Sequence, residues 1–310
     1  MVGNMSKYLV TGGAGFIGSH LVEELVTKGN EVIIVDNLHT GSLDNITKYI
    51  KDIEFINKDT GGIILKDIKD IDGIFHLGIS SSSPMYKENP SLVGKAINDF
   101  INMLNLSKTL NLKMVWASSS SIYNGNSIPW KEDMDIFVKD FYTEARYAME
   151  RLASLHHDWY GTKSIGLRFF SVYGPNERSK GKYANLVSQF LWDMKVDKSP
   201  IIYGDGEQRR DFIYVDDIIS GIISAYKSNI DHDILNLGTG ISYSLNDLVD
   251  IINESIGSSI KPVYVDNKIK NYIHETLADT KKTDENLNIK PKFSLKLGIK
   301  KILEKTFERY

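Results

Sequence analysis

Residues 12–18 read Gly12-Gly13-Ala14-Gly15-Phe16-Ile17-Gly18, a spacing that suits phosphate binding. The segment parses either as Gly13-x-Gly15-x-x-Gly18 or as Gly12-x-x-Gly15-x-x-Gly18. It follows an apolar β-branched run and opens an amphipathic one. In that context glycine permits a tight turn, close backbone approach to a pyrophosphate and close helix–sheet packing, and the free N–H groups at the helix start hold the anion. Asp36 lies 36 − 18 = 18 residues past Gly18, at the end of the next apolar run. A carboxylate there accepts hydrogen bonds from ribose hydroxyls and repels a 2′-phosphate, so the expected cofactor is NAD rather than NADP. A turn aspartate before Asn37 is the plainer alternative, and the strand–loop–helix–strand context favours the cofactor. Further on, Tyr142 and Arg146 stand at i and i+4 and share one face of a helix. A free phenol titrates near ~10, so a tyrosine acting as a base near neutral pH needs a cation beside it.

The elements that must position these groups alternate. Strands are expected at residues 8–11, 31–36, 54–57, 73–77, 114–118 and 164–169, and helices at 19–28, 91–110 and 141–160, with Gly29 closing the first helix. Continuous apolar strands between helices imply a parallel sheet covered on both faces. After about Gly174 the rhythm loosens, which suggests a smaller C-terminal lobe with the chain crossing back to the sheet within residues 214–237.

The chain has 310 residues, long enough to bury a sizeable core, and carries 37 basic and 40 acidic side chains for a net charge of −3. That balance gives no electrostatic reason to expect a nucleic acid or an anionic membrane as partner. With no cysteine there is no disulfide, thiol catalysis or zinc thiolate site, which fits a reducing cytoplasm. No apolar run approaches the ~20 residues that span a bilayer. Residues 1–7 lack the basic-then-apolar pattern of a leader, and Met5 offers an alternative start to Met1. His156-His157 lacks metal-site spacing, and Asp216-Asp217 reads as a helix start.

The motifs occur in order: residues 11–18, Asp36-Asn37, His76-Leu77-Gly78, Ala117-Ser118-Ser119, Tyr142-x-x-x-Arg146 and residues 168–175. Then come Arg210-Asp211-Phe212, Val215-Asp216-Asp217, residues 236–240 and Ala278-Asp279-Thr280-Lys281. Together they span nearly the whole chain and resemble the extended short-chain dehydrogenase/reductase family. Within it the sequence is most similar to the nucleotide-sugar epimerases, of which UDP-hexose 4-epimerase is the best-known type.

The resemblance implies an α/β fold, a Rossmann-type doubly wound parallel sheet with a smaller C-terminal α/β substrate lobe. The NAD-binding domain would occupy residues 1–174, with a return at 212–240, and the sugar-nucleotide lobe mainly 175–310. It implies NAD contacts from Gly12, Gly15, Phe16, Ile17, Gly18, Asp36, Asn37, Thr40, Gly41, Asp59, Thr60, Leu77, Gly78, Ile79 and Asn98, and from Tyr142 and Arg146. Ser119 would bond the reacting oxygen, with Ser118 and Ser120 as neighbouring alternatives. Substrate contacts would come from Ser81, Ser119, Ser171, Asn185, Leu186, Tyr203 and Arg210, the last as a bidentate phosphate fork; a salt bridge with Asp211 is its plainer alternative. The family also implies a homodimer formed through the two helices at 93–110 and 147–155.

This chain departs from the family pattern at three places. Arg146 fills the usual lysine slot and Ser171 the usual asparagine slot. The arginine and aspartate expected before Ala278 are absent, with Lys268 or Lys270 as substitutes. The expected reaction is NAD-dependent 4-epimerisation of a UDP-hexose such as UDP-glucose or UDP-galactose through a 4-keto sugar, with Tyr142 as base. A 4,6-dehydratase or decarboxylase would need an acid where Ser120 and Ser121 stand, and a reductase using NADPH conflicts with Asp36. A non-catalytic binding protein is the alternative of another class, weakened by the presence of both Tyr142 and Ser119.

Overall fold

The computed structural model describes residues 5–307; of the two candidate starts, Met1 lies outside these and Met5 is the first residue within them. The first half runs β1 (Lys7–Thr11), α1 (Phe16–Thr27), β2 (Glu31–Asp36), β3 (Ile53–Asn57), β4 (Gly73–His76), α2 (Ser83–Glu88), α3 (Leu92–Leu110), β5 (Met114–Ser119), α4 (Phe141–Tyr160) and β6 (Ser164–Phe169). The second half continues with β7 (Ser171–Tyr173), α5 (Leu186–Met194), β8 (Ile201–Tyr203), β9 (Arg209–Arg210), β10 (Phe212–Tyr214), α6 (Val215–Lys227) and β11 (His232–Leu237). Then follow β12 (Tyr243–Ser244), α7 (Leu245–Ile256), β13 (Val263–Val265), α8 (Lys281–Leu287) and α9 (Leu295–Phe307).

Seven strands form one sheet in the order β11-β6-β5-β4-β1-β2-β3, and every neighbouring pair is parallel. Because side chains alternate along a strand, consecutive apolar residues feed opposite faces. Val10 and Ile34 join α1 and α6 in one core, while Leu9 and Ile33 join α3 and α4 in the other. The strand order reverses between β1 and β4, and in open α/β sheets such a switch opens a crevice at the carboxyl ends of the strands.

The six expected strands are present within a residue or so, and β11 adds the return to the sheet. The first helix differs: it begins at Phe16, not at residue 19, with Gly15 as its N-cap. The last residues of the glycine loop are therefore already helical, and Ser19 N–H donates to the Gly15 carbonyl at 3.0 Å. Gly29 follows the helix at φ +79°, and its N–H donates to the Val26 carbonyl.

Outside the seven-stranded sheet the pairs β7–β10, β8–β13 and β9–β12 are separate two-stranded sheets. Asp216 and Asp217 lie in the first turn of α6, and Asp217 accepts the N–H groups of Lys292 and Phe293. His156 and His157 pack against Thr162, and His157 stacks on His232. Among the described residues no helix is long and apolar enough to cross a membrane.

Candidate active site

A cavity of about 590 Å³ opens along the switch point, reached by β1, β2, β4 and β5 on one side and by C-terminal segments on the other. Its floor is the glycine loop. Gly12 has φ +69°, and a Cβ there would stand 2.7 Å from Gly78 N; a Cβ on Gly18 would stand 2.0 Å from the Gly12 carbonyl oxygen. Gly12, Gly15 and Gly18 line the cavity, whereas Gly13 packs against Ile34. The register Gly12-x-x-Gly15-x-x-Gly18 is thus the one facing a ligand. The amino end of α1 opens here, and its unpaired N–H groups and dipole favour an anion.

Asp36 ends β2, nearly buried, with Oδ2 accepting Ala14 N–H at 3.0 Å and Oδ1 accepting Leu38 N–H at 2.8 Å. Burial pushes its carboxyl above the ordinary aspartate value, against the pull of these N–H groups and that of Gly15. Each oxygen keeps a lone pair for a further donor. Asn37 Nδ2 donates to Asp59, and this bond, with Lys95 at 3.4 Å, holds the Asp59 carboxyl below its ordinary value. Thr60 Oγ1 donates to the Gly78 carbonyl. Thr40, Gly41, Leu77 and Ile79 also line this end, together with Phe16 and Ile17. The cradle, which a single Cβ would fill, and the carboxylate at its edge fit an adenine dinucleotide.

In the middle of the cavity Tyr142, in the first turn of α4, meets Arg146 one turn later. The guanidinium carbon lies 5.0 Å from the Tyr142 ring centroid. Arg146 is 3% exposed; burial alone would lower its pKa, but the Tyr142 and Tyr86 side chains outweigh that and raise it. Its Nη2 donates to the Ser80 carbonyl at 2.8 Å, and its Nε has no partner among the described residues. Ser119, at the end of β5, lines the same space, its Oγ accepting Ser121 N–H at 3.2 Å.

At the far end stand Ser81, Ser171, Asn185 and Arg210. Asn185 caps α5 through Val187 N–H and donates its amide to Ser171 Oγ at 3.0 Å, joining two of the predicted contacts. Arg210 donates to the carbonyls of Arg209 and His274 and lies over the Tyr272 ring; among the described residues no carboxylate pairs with it. Asp211 is otherwise engaged, accepting from Thr239, Gly240 and Ala278.

Three predicted residues do not line the cavity: Asn98, Leu186 and Tyr203. Asn98 faces out from α3, while Asn102 of the same helix bonds the Thr60 and Ile63 carbonyls. Tyr203 is half exposed and uses its carbonyl on Gln208. Lys268 and Lys270 are exposed too; Ile273 and Thr276 reach the cavity instead. Ser80, Ser82, Ser83, Lys95, Asp99, Lys180 and Tyr183 line it without having been singled out by the sequence, beside the expected Ser81.

The sequence profile of the NAD dependent epimerase/dehydratase family matches residues 8–238. The chain belongs to that family. A UDP-glucuronate 4-epimerase of Thermodesulfobacterium geofontis is 34% identical over 313 aligned residues, covering 96% of this chain and 95% of that protein. The fold matches a UDP-N-acetylglucosamine 4-epimerase from Methanobrevibacter ruminantium, solved with UDP-N-acetylmuramic acid, at TM-score 0.93, 30% identity and 99% coverage of both chains. It also matches a UDP-glucose 4-epimerase from Thermotoga maritima, solved with UDP-glucose, at TM-score 0.91 and 29% identity over 98% of this chain and 99% of that one. The cofactor of this epimerase-family chain is NAD.

Proposed function

We propose that the protein is a nucleotide-sugar 4-epimerase acting on a UDP-hexose such as UDP-glucose or UDP-galactose, and that it works as a homodimer. One observation carries the reading: a single cavity joins a dinucleotide cradle, the Tyr142–Arg146 pair with Ser119, and an arginine free of carboxylate partners among the described residues. NAD, when bound, accepts and returns the hydride. Tyr142 takes the proton of the C4 hydroxyl and later gives it back, and Arg146 stabilises its phenolate. Ser119 steadies charge on the reacting oxygen, and Arg210 holds the diphosphate.

The carboxylates lining the cavity, Asp36, Asp59 and Asp99, all stand at the adenosine end, so among the described residues no acid is placed for elimination or decarboxylation beside the sugar. That supports epimerisation over the dehydratase reading.

The test uses purified protein with no added cofactor, incubated with UDP-galactose and assayed for UDP-glucose. Conversion is expected, and Tyr142→Phe should lower it by about a thousandfold while leaving bound NAD in place. Protein that retains NAD yet converts neither hexose overturns the UDP-hexose assignment.

A further inference from the structure

We propose that Arg146 has a second role beside its charge: together with Asp140 it fastens residues 80–83 to α4, so that the wall beside the reacting sugar keeps its spacing from Tyr142. The proposal rests on reading the cavity as a nucleotide-sugar site.

Residues 80–83 link β4 to α2 and line the cavity with four consecutive serines. A run of serines has no packing of its own to hold it, so its position depends on what grips its ends. Both ends are gripped by α4. At the first, the Ser80 carbonyl receives Arg146 Nη2 at 2.8 Å and the Tyr86 hydroxyl at 3.3 Å. At the second, Ser83 Oγ donates to Asp140 Oδ2 at 2.7 Å.

Asp140 divides its carboxylate. Its Oδ1 caps the helix, accepting Thr143 N–H at 2.8 Å, while Oδ2 takes the loop. Tyr142 lies between the two anchors, and the Tyr86 ring meets its edge at 5.4 Å between centroids. Charge-assisted bonds of this kind are about twice as strong as neutral ones. The planar guanidinium stands over the Tyr142 ring and reaches the Ser80 carbonyl at once, a two-sided reach that a point-charge ammonium does not reproduce. Arg146 in the lysine slot is then a tether as well as a cation, and Ser83 and Asp140 are positioning residues.

The test compares calorimetric binding of UDP-glucose and of UDP to the NAD-loaded protein and to Ser83→Ala, Ser83→Thr and Arg146→Lys. Ser83→Ala should bind UDP-glucose about 5–10-fold more weakly, with UDP affinity and melting temperature unchanged. Ser83→Thr should restore it, and Arg146→Lys should show the same selective loss. An equal loss for both ligands, or none for UDP-glucose in either variant, overturns the tether. Wild-type protein that binds neither UDP-glucose nor UDP overturns the reading of the site itself, and the tether with it.

Discussion

Thr11 Oγ1 accepts the N–H groups of Leu77 and Gly78, at 3.1 and 3.0 Å, which leaves its single proton for His76 Nδ1 at 2.8 Å. The ring's other nitrogen, Nε2, is buried without a partner among the described residues, and burial, aided by the Arg146 charge, drives the His76 pKa from 6.5 to about 3. His76 is therefore neutral in the fold, while the unfolded chain binds a proton there below about 6.5. The folded pKa is the lower one, so this contribution is fully present above pH 6.5 and is lost as pH falls toward 3, at up to about 1.4 kcal/mol per pH unit. Urea unfolding at pH 6.5 and 5 should show His76→Asn losing about 2 kcal/mol less stability over that interval than the wild type; equal losses would refute it. At this scale the sequence was legible where chemistry is contiguous, as in the glycine loop, Asp36 and Tyr142-x-x-x-Arg146. It was not legible at Ser80, Ser82 or Ile273, which reach the cavity along irregular chain whose course no local pattern sets. Asn98 shows the opposite error: the right helix, but its exposed side.

The first helix shows how an element positions a ligand through what its residues lack. A Cβ on Gly18 would strike the backbone of Gly12 and Gly13, which cannot yield as a flexible side chain can. Gly18→Ala must push α1 off the loop, and retained NAD should fall by about a hundredfold on purification, read as the absorbance ratio at 260 and 280 nm. Gly29 closes the same helix at φ +79° with nothing within 4 Å of a built Cβ. Gly29→Ala meets only backbone strain, should cost about 1 kcal/mol of stability, and should keep NAD. If both variants retain NAD equally, the close approach at Gly18 does not matter. Strands such as β2, with five successive buried residues, declare themselves in sequence because a doubly covered strand is apolar throughout. The pairs β9–β12 and β8–β13 do not, since two or three residues carry no readable period. The start of α1 was misplaced because glycine-rich sequence reads as loop even where its last turn is already helical.

Across the whole molecule, α3 and α4 pack side by side over one face of the sheet and share a stripe of partly exposed apolar side chains. Val93, Ile97 and Ile101 are spaced four apart on α3 and are only half-buried, and α4 adds Ala148 and Leu152, with Leu155 at 53% exposure. An apolar stripe shared by two neighbouring helices suits a two-fold contact in which each pair meets its copy as a four-helix layer. Asn98 and Gly94 are exposed on the same helix, so in the proposed contact Asn98 would stand nearer the partner than the cofactor. The proposed homodimer would have twice the 35.0 kDa chain mass, and sedimentation equilibrium should return that value at micromolar concentration. Leu155→Glu combined with Ile97→Glu would bury two like charges per chain at the contact, and the mass should fall to that of one chain while NAD remains bound. A wild-type protein that sediments as a monomer, or a double variant that stays dimeric, would place the interface elsewhere or remove it.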